Sequence, residues 1–174
     1  IKVEEWIKKA PKAVLHDHLD GGLRVSTLID LANKQNYKKL PKKKEEELLK
    51  WIEPKPNKSL ALNLEAWDHT IAVMQDENSI YRVTMEALED LANDGVVYAE
   101  LRFAPLVHCK KNLNPSQVVE SVMNGIRDGS KNFEILAGTI LCAMRQETNS
   151  KSVAELCIKH KDIIAVSYTH LTLP

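Results

Sequence analysis

Short β-branched runs alternate along the chain with longer stretches whose apolar residues recur at helical spacing. Ala13-Val14-Leu15-His16 reads as a first strand, and Ser26 as the cap of a helix carrying Leu28, Ile29, Leu31 and Ala32 on one face. Pro54 and Pro56 interrupt the pattern, and residues 60–74 read as an insertion containing a helix. A long helix begins at Asn78 or Ser79, carries Ile80, Val83, Ala87, Leu88 and Leu91, and ends at Gly95 in left-handed geometry. Residues 96–103 form the clearest strand, stopped by Pro105. Asn114 and Pro115 open the next helix in the favoured N-cap and N1 order. A third strand covers 135–144, Ser150 caps a further helix, and residues 163–166 form a fourth strand. Strands that are apolar at most positions and separated by helices predict a parallel sheet covered by helices. A doubly wound sheet and a (β/α) barrel both satisfy that pattern.

Composition narrows the possibilities. The 174 residues include 44% hydrophobic ones, enough for a core, with 24 Lys and Arg balanced by 24 Asp and Glu. That balance argues against nucleic acid or an anionic membrane as a partner. The run KKLPKKKEEELLK (residues 38–50) is basic and then acidic, and reads as a solvated helix with Lys–Glu pairs rather than a nucleic-acid patch. No apolar run is long enough to span a bilayer. Cys109, Cys142 and Cys157 form no C-x-x-C pair, which predicts small core thiols in a reducing cytoplasm. The chain opens at Ile1 rather than Met, so further residues are expected upstream.

The candidate chemistry sits at the strand ends. In KAVLHDHLDGG, strand alternation puts His16 and His18 on one face with Val14, where two imidazoles can converge on a metal ion. The carboxyl ends of strands are where barrels and open α/β sheets hold their sites. Asp20 follows one strand period later and can reach the same cleft or cap a turn; Gly21 and Gly22 let the backbone turn. No phosphate-cradling glycine loop follows any strand, which weakens a dinucleotide-binding reading. On the second strand Glu100 and Arg102 share a face with Val96 and Tyr98. Their charges must be paired when buried, and Glu100, Arg102 and Arg145 read as a structural ion-pair set near the site. Trp67 can line an apolar pocket from the insertion or sit in the core. His69, His108 and His160 have no partner at ligand spacing and read as surface or helix residues.

These segments together resemble the adenosine/AMP deaminase family. The residues that carry the likeness are Leu15-His16-Asp17-His18-Leu19-Asp20-Gly21, then residues 95–105 (GVVYAELRFAP), then residues 140–145 (ILCAMR), in the family's order. The resemblance implies a (β/α)8 TIM-type barrel truncated to about its first four β/α units over residues 1–166. Residues 167–174 read as a tail foreign to the family. It further implies a zinc-dependent hydrolase that converts adenosine and 2′-deoxyadenosine to inosine and ammonia, with one divalent ion per intact subunit and a purine nucleoside as its small-molecule partner. By that likeness His16 and His18 are two zinc ligands, Asp20 hydrogen-bonds the ribose 5′-hydroxyl, and Trp67 and Met144 wall the purine pocket. Zinc lowers the pKa of a water that attacks C6. The family's remaining ligands, its glutamate acid and its assisting histidine fall beyond the present sequence. The chain alone is therefore expected to hold no complete catalytic set and to be inactive, and His170 receives no zinc role. Alternatives are an adenine or AMP deaminase, another metal-dependent amidohydrolase, or a non-catalytic barrel fragment. Free-adenine relatives tend to carry Glu where Asp20 stands.

Overall fold

The computed structural model describes residues 5–53, 60–145, 147–161 and 164–169, with side chains omitted for 60–63 and 164–169. In chain order the elements are α1 (Glu5–Lys9), β1 (Lys12–His18), α2 (Val25–Lys34), α3 (Glu45–Ile52), α4 (Leu60–Val73), α5 (Glu77–Asn93), β2 (Val96–Phe103), a 3-10 turn (Pro105–His108), α6 (Pro115–Phe133), β3 (Leu136–Ala143), α7 (Ser150–Lys159) and β4 (Ile164–Thr169). The strands form one parallel sheet in the order β1-β2-β3-β4, as expected for consecutive β/α units of a barrel wall. No described helix is long and apolar enough to cross a membrane.

The two faces of the sheet bury different sets of residues. Ala99, Leu101, Phe103, Leu141 and Ala143 point to the helices and join Leu28, Ile80, Leu88, Val118 and Val122 in the main core. Residues on the opposite face of β3, Ile140 and Cys142, pack instead with Ala104, Val107 and Met144. That second face is the wall of the barrel interior, and it carries Arg102 on β2.

Several helix starts differ from the expectation by a few residues. Asp76, not Asn78 or Ser79, caps α5: its carboxylate accepts from the backbone N–H of Ser79 and from the Ser79 hydroxyl. Asn149 precedes α7 and Ser150 is its first residue; Arg24 holds the equivalent place before α2. Asn114 caps α6 as expected and forms a capping box with Gln117. Gly95 has φ 81°, the left-handed geometry anticipated at the end of α5. The acidic half of the 38–50 run forms α3 while the lysine-rich half stays outside it. β4 continues through Thr169, and residues 170–174 of the expected tail, His170 among them, lie outside the described residues.

Candidate active site

β1 is not a regular strand where it matters. Its register against β2 runs Val14↔Ala99 and then Asp17↔Leu101, so β1 carries one extra residue between these pairs. His16 sits in that bulge with φ 72°, a left-handed conformation uncommon outside glycine and costly to hold. The bulge changes the faces. Val14 packs against the helix-side core, whereas His18 pairs with Arg102. The expectation that Val14, His16 and His18 share a face by simple alternation is therefore corrected, because an inserted residue reverses the alternation beyond it.

The two imidazoles nevertheless stand side by side, their ring centroids 5.3 Å apart. Two histidines bound to one tetrahedral zinc at about 2.0–2.1 Å place their centroids roughly 5 Å apart, so this pair has the spacing of a shared ion. Catalytic zinc takes at least three protein ligands. No group of three or more His, Cys, Asp or Glu able to hold a metal occurs among the described residues. His16 and His18 thus fit as part of a metal site.

Arg102 forms the floor beside them. It is 6% exposed; its Nε donates to Cys142 Sγ at 2.8 Å, and its Nη1 lies 2.9 Å and 2.6 Å from the Nδ1 and Nε2 of His18. A guanidinium only donates, so it engages whichever imidazole nitrogen is unprotonated. Among the described residues Glu100 and Arg102 form no ion pair: the Glu100 carboxylate accepts from the Tyr98 hydroxyl at 3.1 Å, one period back on the same face. Arg102 instead turns to the strands on either side of β2, while Arg145 is exposed beyond β3.

Asp20 is buried where the chain leaves β1. Its Oδ2 accepts from the Ala104 N–H at 3.3 Å, and its backbone carbonyl accepts from the Thr70 hydroxyl at 2.6 Å. Burial raises its pKa above the usual carboxylate value, while the Ala104 N–H and the Arg102 charge pull it down. Leu19 N–H donates to Arg102 carbonyl, so the β1 exit is stitched to the end of β2. Trp67 on α4 closes the other side. Its ring meets His18 edge-on at a centroid distance of 4.9 Å. Gly21, Leu23, Ile52, Leu64, Ala66, Trp67 and Thr70 line an apolar cavity of about 270 Å³ beside it. Met144 lies at the end of β3, packed on the interior cluster that includes Cys142.

His108 departs most from expectation. It is buried at 1% exposure, on the turn after β2, where a surface or helix position was expected. Its Nδ1 lies 3.0 Å from the Met74 carbonyl and its Nε2 3.9 Å from Asp20 Oδ2. Its sequence neighbours did offer a signal, since a histidine three residues after a strand-stopping proline stands at the same sheet end as His16 and His18. Neither of the other described histidines joins the site. His69 on α4 meets the Tyr37 hydroxyl at 2.8 Å, and His160 follows α7 near Ser116. The structure therefore brings together His16, His18, Asp20, Trp67 and Arg102 and adds His108, while Glu100 bonds Tyr98.

Known proteins resemble this chain in sequence and fold. The sequence profile of the adenosine deaminase family matches residues 11–169. An adenosine deaminase of Mycobacterium avium (strain 104) is 44% identical over 164 residues, covering 91% of this chain and 45% of that protein. Among solved structures, the Arabidopsis N6-mAMP deaminase superposes with a TM-score of 0.75 at 26% identity, over 97% of this chain and 53% of that one. An adenine deaminase from Arthrobacter aurescens superposes with a TM-score of 0.80 at 24% identity, over 94% of this chain and 49% of that one, which speaks for the fold. The chain spans about half the length of the curated relatives it matches. With four parallel strands and a profile match across nearly its whole length, this chain belongs to the adenosine deaminase family.

Proposed function

We propose that the intact protein is a zinc-dependent hydrolase that deaminates adenosine and 2′-deoxyadenosine to inosine and ammonia. The observation that carries the reading is the pair of imidazoles 5.3 Å apart at the carboxyl end of β1, backed by the buried Asp20 two residues on. His16 and His18 would hold the ion together with ligands from outside this chain. The chemistry such an ion supplies is an activated water at neutral pH. Asp20 binds the nucleoside through the ribose 5′-hydroxyl. Trp67 and Met144 form apolar walls for the purine and exclude water from it. Arg102 lends Asp20 a compensating positive charge.

The same geometry argues that the 174 residues alone are inactive. Two imidazoles are at least one ligand short of a catalytic zinc site, and a closed barrel of this type takes eight strands. In the full-length protein, His16→Ala and His18→Ala should each lose bound zinc and nearly all adenosine turnover, measured by metal analysis and by the absorbance change as inosine forms. Normal metal content in both variants overturns the ligand assignment. Zinc-dependent turnover by the 174-residue chain, clearly above its own His16→Ala control, overturns the claim that it is inactive.

A further inference from the structure

We propose that His108 is a positioning residue for Asp20: its Nε2 and the Asp20 Oδ2 face each other 3.9 Å apart and are bridged through one shared hydrogen-bond donor, which fixes the rotation of the carboxylate. The inference rests on the reading of Asp20 as the group that binds the sugar.

The tautomer of His108 follows from its partner. A carbonyl only accepts, so Nδ1 carries the hydrogen that reaches Met74 at 3.0 Å. Nε2 of the neutral ring is then a bare lone pair, and it has no hydrogen-bond partner among the described residues. Buried polar atoms in native proteins are nearly always satisfied, by protein or by ordered water. Burial keeps this ring neutral by holding its pKa at about 4, below the usual 6.5.

The imidazole is also rigidly mounted. The turn that carries it is clamped to the end of α4, because Gln75 Nε2 donates to the Ile71 and Val107 carbonyls while Gln75 Oε1 accepts from Lys110 N–H. Asp20 is anchored less completely. Its carbonyl is held by Thr70, while its Oδ2 accepts from the Ala104 N–H at a long 3.3 Å. Two acceptors that face one another repel unless a donor lies between them. A water that donates one hydrogen to each turns the repulsion into two bonds and locks the carboxylate.

The test uses the full-length enzyme. His108→Leu should raise KM for the nucleoside about tenfold, the worth of one buried hydrogen bond, with little change in kcat. His108→Gln, whose amide reaches the same place, should restore most of the loss. In an Asp20→Ala background, or with a 5′-deoxynucleoside, His108→Leu should add nothing. A tenfold effect that persists in both settings overturns the proposal, as does a Gln variant no better than Leu. The pairing itself is checked by urea unfolding: His108→Gln and Asp20→Asn, single and combined, should be non-additive by about fivefold in the unfolding constant. Additive losses overturn it. If that coupling is found while Asp20→Ala leaves nucleoside KM unchanged, the pairing stands and the sugar-binding role of Asp20 fails.

Discussion

Gly21 lies directly under the indole of Trp67: a Cβ placed on Gly21 would stand 2.9 Å from Trp67 Cε2 and 3.0 Å from Cζ2. Contacts that short are repulsive, so the tryptophan holds its place against His18 only because position 21 has no side chain. Gly21→Ala should destabilise the protein by about 1–3 kcal/mol, the range for overpacking a fitted site. Urea unfolding reads the loss. In a Trp67→Leu background the same substitution should cost much less. An equal cost in both backgrounds would show that the strain lies in the backbone rather than against the indole.

Arg102 should be the most costly charged residue to remove near the site. It is buried, bonded to Cys142 and His18, and supplies the positive charge felt by Asp20. Arg102→Met strips those bonds and leaves a buried carboxyl without compensation, for a loss of about 3 kcal/mol. Denaturant midpoints at neutral pH test this; a change under about 0.5 kcal/mol, the scale of an ordinary surface substitution, would contradict the burial argument.

Acid should weaken the fold through His108. Its pKa is held at about 4 in the folded state by burial, against 6.5 for a free imidazole. The unfolded chain takes up a proton as pH falls below 6.5 while the folded chain does not. The stability held above pH 6.5 is therefore lost progressively down to pH 4, at up to about 1.4 kcal/mol per pH unit. His69, whose pKa is also lowered by burial, acts in the same direction. Comparing unfolding free energies of the parent and His108→Leu between pH 7 and pH 5 isolates the His108 share. The parent should lose more stability over that interval, and parallel slopes would refute the assignment.

Substrate choice should follow Asp20. In the full-length enzyme, Asp20→Ala should keep its zinc but lose about tenfold or more of its preference for nucleoside over free base, since a buried hydrogen bond is worth about 1–3 kcal/mol and more when charged. Metal analysis beside kinetics on adenosine and adenine decides the point. Loss of zinc in this variant would place Asp20 among the metal ligands instead.

Much of this organisation is written in local patterns. The strand of residues 96–103 and the Asn114-Pro115 helix start depend on neighbouring residues, and both formed where expected. The candidate site was legible as a cluster because His16, His18 and Asp20 lie close in sequence at one strand end. The cap of α5 was displaced to Asp76 because either an Asp or a Ser within three residues can supply the oxygen.

Local sequence by itself therefore determined the class of fold, the order of β/α units and the HLDG segment, since periodicity and strand-end chemistry need only neighbours. Tertiary structure decided the rest. The bulge at His16 depends on how β1 registers against β2, and register is a property of two strands rather than one. The partners of Arg102 come from residues 84 positions before it and 40 after it. His108, likewise, is separated from Asp20 by α2 to α5 and by all of β2. Only the packing of the turn after β2 against the end of α4 buries that imidazole and aims it at the carboxylate, because burial is set by what packs over a residue and not by the residue itself.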